Sequence, residues 1–134
     1  MLTIPRRPRW LPAITVLYGV FLFFWLAPED SLWLVAVLGW LLALIAALHL
    51  ISRLAGRAFA PKHWIPGAIA AGALIGAGAS FATTLLMLMK SALHQSAFSD
   101  YPLPLLVGIV ERLPAWSLAG GLVGVGFVIL RYRR

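Results

Sequence analysis

The chain has 134 residues, the length of one ordinary domain, yet 62% are hydrophobic, only 11% are charged and the mean hydropathy is +0.94. A soluble domain is about half apolar and about a quarter charged, so this chain lacks the polar surface to cover a water-soluble globule. Eleven Lys and Arg against four Asp and Glu leave a formal charge of +7; an apolar body with basic ends excludes a soluble enzyme, a secreted disulfide scaffold and a disordered chain, and reads as an all-α, polytopic membrane protein.

The first apolar run, Trp10 to Ala27, is rich in aromatics: Tyr18, Phe21, Phe23, Phe24 and Trp25. Its basic start resembles a signal peptide, but the run is long and the exit Trp25-Leu26-Ala27-Pro28 offers no small-x-small cleavage site, so it is expected to stay as a span. Pro28-Glu29-Asp30-Ser31 then predicts a tight turn, with Asp30 or Ser31 capping the second run, Leu32 to Ser52. A basic connection with Arg53, Arg57 and Lys62 leads to the third run, Ile65 to Met89, built mostly of Ala and Gly. Met89, Leu93 and Ala97 keep helical spacing, so this helix is expected to project past the bilayer until Asp100-Tyr101-Pro102-Leu103-Pro104 breaks it. Across the outer segment 91–112, Leu105, Leu106, Ile109, Val110 and Leu113 form a stripe opposite Gly108, Glu111 and Arg112, which predicts a short amphipathic helix on the outer leaflet or a re-entrant segment held by protein. The fourth run, Leu113 to Leu130, lies between Arg112 and Arg131, a separation of about 28 Å at 1.5 Å per residue. Pro114 falls in its first turn, where a missing N–H is tolerated, and Trp116 sits at the depth of an aromatic belt.

Four spans of about 30 Å follow, in a single membrane domain covering residues 1–134. Arg6, Arg7, Arg9, Arg53, Arg57, Lys62, Arg131, Arg133 and Arg134 fall on one side, nine of the eleven cations. Lys90, Arg112 and all four acids fall on the other. The positive-inside rule then places both termini in the cytoplasm of a multi-pass inner-membrane protein. The same positions argue against nucleic acid, since the cations cap apolar runs and form no folded basic surface.

Chemistry is sparse. Cysteine and asparagine are both absent, which removes disulfides, Cys-ligated metals, thiol nucleophiles and glycosylation sequons. No nucleophile–base pair, phosphate loop or HExxH is present. The mid-span polar residues are neutral: Thr15, Tyr18, Ser80, Thr83, Thr84 and Ser117. Proton-coupled transport normally needs a titratable group at depth, so a small proton-driven exporter is disfavoured.

Small residues carry the clearest structural signal. Gly72, Gly76 and Ser80 recur every four residues on the third run, and Gly120 and Gly124 form a GxxxG on the fourth. Such lines let helix backbones approach where lipid supplies no hydrophobic drive, so they predict helix packing; the alternative is room for a pigment, quinone or lipid tail. His49 and His63, near one membrane boundary, can ligate a haem or a chlorophyll-type pigment, or else form an interfacial pair in a basic loop. Lys90, His94, Asp100, Tyr101, Glu111 and Arg112 gather on the outer side as candidates for docking a partner or lipid headgroups; His94, Asp100 and Glu111 are also chemically adequate for a metal, though their spacing matches no motif.

The expectation is a non-catalytic accessory subunit of a larger bacterial membrane complex, with photosynthetic or respiratory electron transfer as the setting such subunits often have. It would contact membrane lipids and other membrane subunits, and could carry lipid, quinone, carotenoid, chlorophyll-type pigment or haem at its periphery. The alternatives are a small oligomeric channel or transporter for a neutral or lipid-like substrate, lined by the third run, and a haem- or pigment-binding protein.

Overall fold

A computed structural model describes residues 2–4, 7–25, 31–94 and 101–132. In chain order these give β1 (Leu2–Thr3), α1 (Leu11–Trp25), α2 (Leu32–Ser52), β2 (Ala58–Phe59), α3 (Pro61–His94), α4 (Leu103–Glu111) and α5 (Leu113–Tyr132). Three stretches are long and apolar enough to cross a membrane: α2, most of α3, and the stretch Leu103–Arg131 that joins α4 to α5. The first expected span is shorter. As described, α1 has 15 residues, about 22 Å against a hydrocarbon core of about 30 Å.

Each boundary has a local cause. Ser31 sits at the N-cap of α2 with extended backbone, but its hydroxyl makes no capping bond. The other expected cap, Asp30, lies outside the described residues. α3 starts four residues before the expected Ile65, because Pro61 is preset for the first helical position and the Ala60 carbonyl accepts from the N–H groups of His63 and Trp64. At 34 residues α3 is about 51 Å long and far exceeds a bilayer's hydrocarbon core.

The amphipathic helix expected on the outer leaflet is α4, but it does not lie free. Leu106 and Ile109 are buried, while Val110 and Leu113 from the expected apolar stripe are exposed. Arg112 alone separates α4 from α5 and keeps a right-handed helical conformation. Pro114 removes the N–H that would have bonded the Val110 carbonyl, so the rod breaks there without reversing direction.

α3 is the centre of the fold, flanked by α2 on one side and α5 on the other, with α4 folded over its far end. Against α5 the two backbones touch. A Cβ built on Gly72 would collide with the Gly120 carbonyl, one on Gly120 with the Gly72 carbonyl, and one on Gly76 with the Trp116 carbonyl. A Cβ on Gly124 would fall 2.6 Å from the Ala68 carbonyl oxygen. Each step of four residues forward on α3 is matched by four back on α5, so the helices run antiparallel. The reciprocal Gly72–Gly120 contact places a Cα–H against a carbonyl in both directions, a weak attraction that repeats along the seam.

The α2–α3 seam has its own close point, where a Cβ on Gly39 would run into the side chain and backbone of Thr83. Above it, α2 and α5 meet through Trp40 and Trp116, stacked with centroids 5.7 Å apart. α1 lies antiparallel along α2, tied by the Tyr18 hydroxyl donating to the Leu38 carbonyl at 2.9 Å. Antiparallel packing therefore gathers the N-terminal segment, the α2–α3 connection and the C-terminal end of α5 at one end of the bundle. There β1 pairs antiparallel with β2, Leu2 opposite Phe59 and Thr3 opposite Ala58. Gly56, at φ +83°, makes the left-handed turn that lets its N–H reach the Ile4 carbonyl.

Gly120→Leu is expected to lower stability by upward of about 3 kcal/mol, because the new side chain meets backbone that cannot rotate away. Gly126→Ala, with open space at its Cβ, is expected to melt like the wild type. Thermal unfolding in detergent, followed by circular dichroism, compares the two; equal melting would refute the seam.

Candidate functional site

Three features could carry function: the end of the bundle under α4, the basic opposite end, and the apolar surface between them. Under α4, the buried face of α3 runs through Ala79, Ser80, Ala82, Thr83, Leu86, Met87 and Lys90 at helical spacing. Lys90 has no exposed surface at all, and its Nζ lies 4.8 Å from the centroid of the Trp25 ring. Around it Trp25, Val35, Leu38, Leu86, Met87, Tyr101, Leu106 and Ile109 form the main apolar core. The quadrupole of an indole face attracts a cation, more strongly as water is withdrawn. Lys90 therefore joins α3 to the end of α1.

Ser80 works similarly on α4. Its hydroxyl donates to the Ile109 carbonyl at 2.8 Å in a buried position, as a second donor beside the Arg112 N–H at 3.2 Å. Thr83 and Thr84 instead return their hydroxyls to the carbonyls four residues back on α3. Among the described residues the buried Trp25 indole N–H meets no acceptor.

This geometry corrects part of the expected docking set. Lys90 and Tyr101, expected to face a partner or lipid headgroups, are turned inward, with Tyr101 only 3% exposed. The reason is the helical register: Lys90 follows Leu86 and Met87 by one turn on the buried stripe, and α4 closes over it. Glu111 and Arg112 are exposed. The side chain of His94 and all of Asp100 lie outside the described residues, and the expected His94–Asp100–Glu111 set lies there with them. Among the described residues no group of three metal-binding side chains converges.

At the basic end, His49 is half-buried near the close of α2. Its Nδ1–H donates to the Ile45 carbonyl at 3.0 Å, and its Nε2 accepts from the Arg7 guanidinium at 3.2 Å, an arrangement that requires the Nδ1–H tautomer. A haem or pigment ligand needs a free ring lone pair, and here a cation occupies it. His49 as arranged offers no ligand atom; it anchors the N-terminal segment. His63 stands exposed on the first turn of α3.

The Gly72–Gly76–Ser80 line, with Gly120 and Gly124, is occupied by backbone and by the α4 contact, so within one chain no lumen runs along that face of α3. Open space lies elsewhere. An apolar groove of about 450 Å³ runs between α2 and α3, and a smaller one of about 260 Å³ between α1 and α2. Gly39, Ala43 and Ala47 recur every four residues on α2, the same signal read on α3 and α5, and this line sets the close crossing at Gly39 and the floor of the larger groove.

Because Lys62 is exposed and Lys90 is buried, a water-soluble amine-acylating reagent should modify Lys62 in the folded, detergent-solubilised chain and reach Lys90 only after denaturation in SDS, as read by peptide mass. Equal labelling of both would contradict the burial of Lys90. Ser80→Ala should lower stability modestly, by about 0.6–1 kcal/mol, through loss of its bond to α4. No change in melting would show that Ile109 finds another donor.

Comparison with known proteins finds no matching family, no similar curated protein and no similar solved structure.

Proposed function

We propose that this chain is a non-catalytic accessory subunit of a larger bacterial membrane complex, embedded in the inner membrane. The observation that carries this reading is how little apolar surface the chain keeps for itself. No more than a third of any of its three long apolar windows is buried within it. On α1, Phe21, Phe23 and Phe24 point outward on a helix held mainly by its neighbour α2. Large, rigid aromatic surface of this kind suits a protein or lipid contact made from one edge of the molecule.

The same reading gives α1 the role of a fourth span and directs the basic end to the cytoplasm. Arg7, Arg9, Arg53, Arg57, Lys62 and Arg131 collect at that end, whereas Glu111 belongs to the other. Docking at the outer end falls to the exposed side of α4, Leu103, Val107 and Val110, rimmed by Glu111 and Arg112. Lys90 and Tyr101 hold that surface from beneath.

Two measurements test the proposal. Alkaline phosphatase fused after Arg134 should be inactive, and fused within the connection after α1 should be active; the opposite pattern would overturn the orientation. Native mass of the tagged chain, extracted from its own membranes in mild detergent, should show a fixed stoichiometry with other subunits. A lone monomer or pure homo-oligomer would overturn the accessory role.

A further inference from the structure

The larger apolar groove, with the cations at its mouth, has the form of a phospholipid site. Its α2 wall runs from Leu42 through Ala46 to Leu50, and its α3 wall includes Leu74, Gly78 and Phe81. The α2 wall extends to Ile51, a rise of about 13 Å, close to one leaflet of a hydrocarbon core about 30 Å thick. The groove is long and apolar enough for an acyl chain.

What stands at its mouth selects the headgroup. The groove ends at Leu50 and Ile51, where α2 gives way to the basic connection. Arg53 keeps right-handed helical backbone and continues the Leu42–Ala46–Leu50 line one turn on. Arg57 and Lys62 follow in the same connection and at the start of α3, and all three are exposed. Glu111, the one acid among the described residues, is at the other end of the bundle. We infer that the α2–α3 groove holds an acyl chain of an anionic phospholipid in the leaflet bordering the basic end, with the phosphate held by Arg53, Arg57 and Lys62. Small residues on the floor admit the chain, and the cations favour a net negative headgroup over a zwitterionic one.

The test reconstitutes the purified full chain in phosphatidylcholine vesicles carrying a trace of chain-nitroxide-labelled phosphatidylglycerol or phosphatidylcholine. Electron spin resonance should show a motionally restricted component that favours phosphatidylglycerol by about fivefold for each cation engaged at low salt, and less as salt is raised. Ala46→Phe, which fills an exposed position on the groove wall, should remove the restricted component for both lipids. R53Q/R57Q/K62Q should retain it and lose the preference for phosphatidylglycerol. Absence of headgroup preference in the wild type, or an unchanged restricted component in Ala46→Phe with native circular dichroism, would overturn the site. So would efficient disulfide formation between copies carrying A46C, the only cysteine in such a chain, because protein would then cover the groove. The purified chain alone is measured, so none of these results bears on the accessory role.

Discussion

The contact on which the molecule depends is backbone against backbone, between α3 and α5. Inside a bilayer, lipid tails are as apolar as leucine, so burying side chains gains little; helices associate through close van der Waals contact and weak polar attractions. Gly72, Gly76, Gly120 and Gly124 leave no Cβ of their own at the closest points of the seam and let carbonyl oxygens reach the opposing Cα atoms. This fixes α3 in both register and direction. Everything else is placed relative to α3: α2 crosses it at Gly39 and Thr83, α4 hangs from Ser80, and α1 reaches it through Trp25 and Lys90.

The two ends of the bundle are secured differently. Beneath α4 the fastening is a buried one, a cation under an indole and a hydroxyl on a helix-end carbonyl that also takes the Arg112 N–H, both worth more where water is excluded. At the basic end the fastening is made of exposed or half-buried groups: a two-residue ladder, the turn at Gly56 and the Arg7–His49 bond. Between them lies a surface that is apolar and open, shaped by where small residues thin the wall.

Much of this was legible in the sequence, and the rest was hidden for definable reasons. Helix positions followed from apolar runs, and the spacing of Gly72, Gly76, Gly120 and Gly124 marks the surfaces along which α3 and α5 meet. Charge type misled at Lys90: a lysine near a helix end suggests exposure, while its spacing from Leu86 and Met87 puts it on the buried stripe. The relation of α4 to α5 was hidden because Pro114 marks a break but not whether the chain turns away or continues beyond it. Gly39 escaped notice because its line is completed by alanines, although the four-residue repeat is the same. For His49 the sequence leaves a ligand and an interfacial role both open; only the fold brings Arg7, 42 residues away in sequence, onto its ring.

The small ladder at the basic end has a consequence for how the protein is made. Thr3 cannot meet Ala58 until 55 further residues have been synthesised. At roughly 5–20 residues per second that is a wait of about 3–11 s, during which the N-terminal strand has no partner. Once Ala58 and Phe59 emerge, pairing closes a loop around α1 and α2. The ladder thus joins the two ends of the α1–α2 hairpin only after both helices have been made.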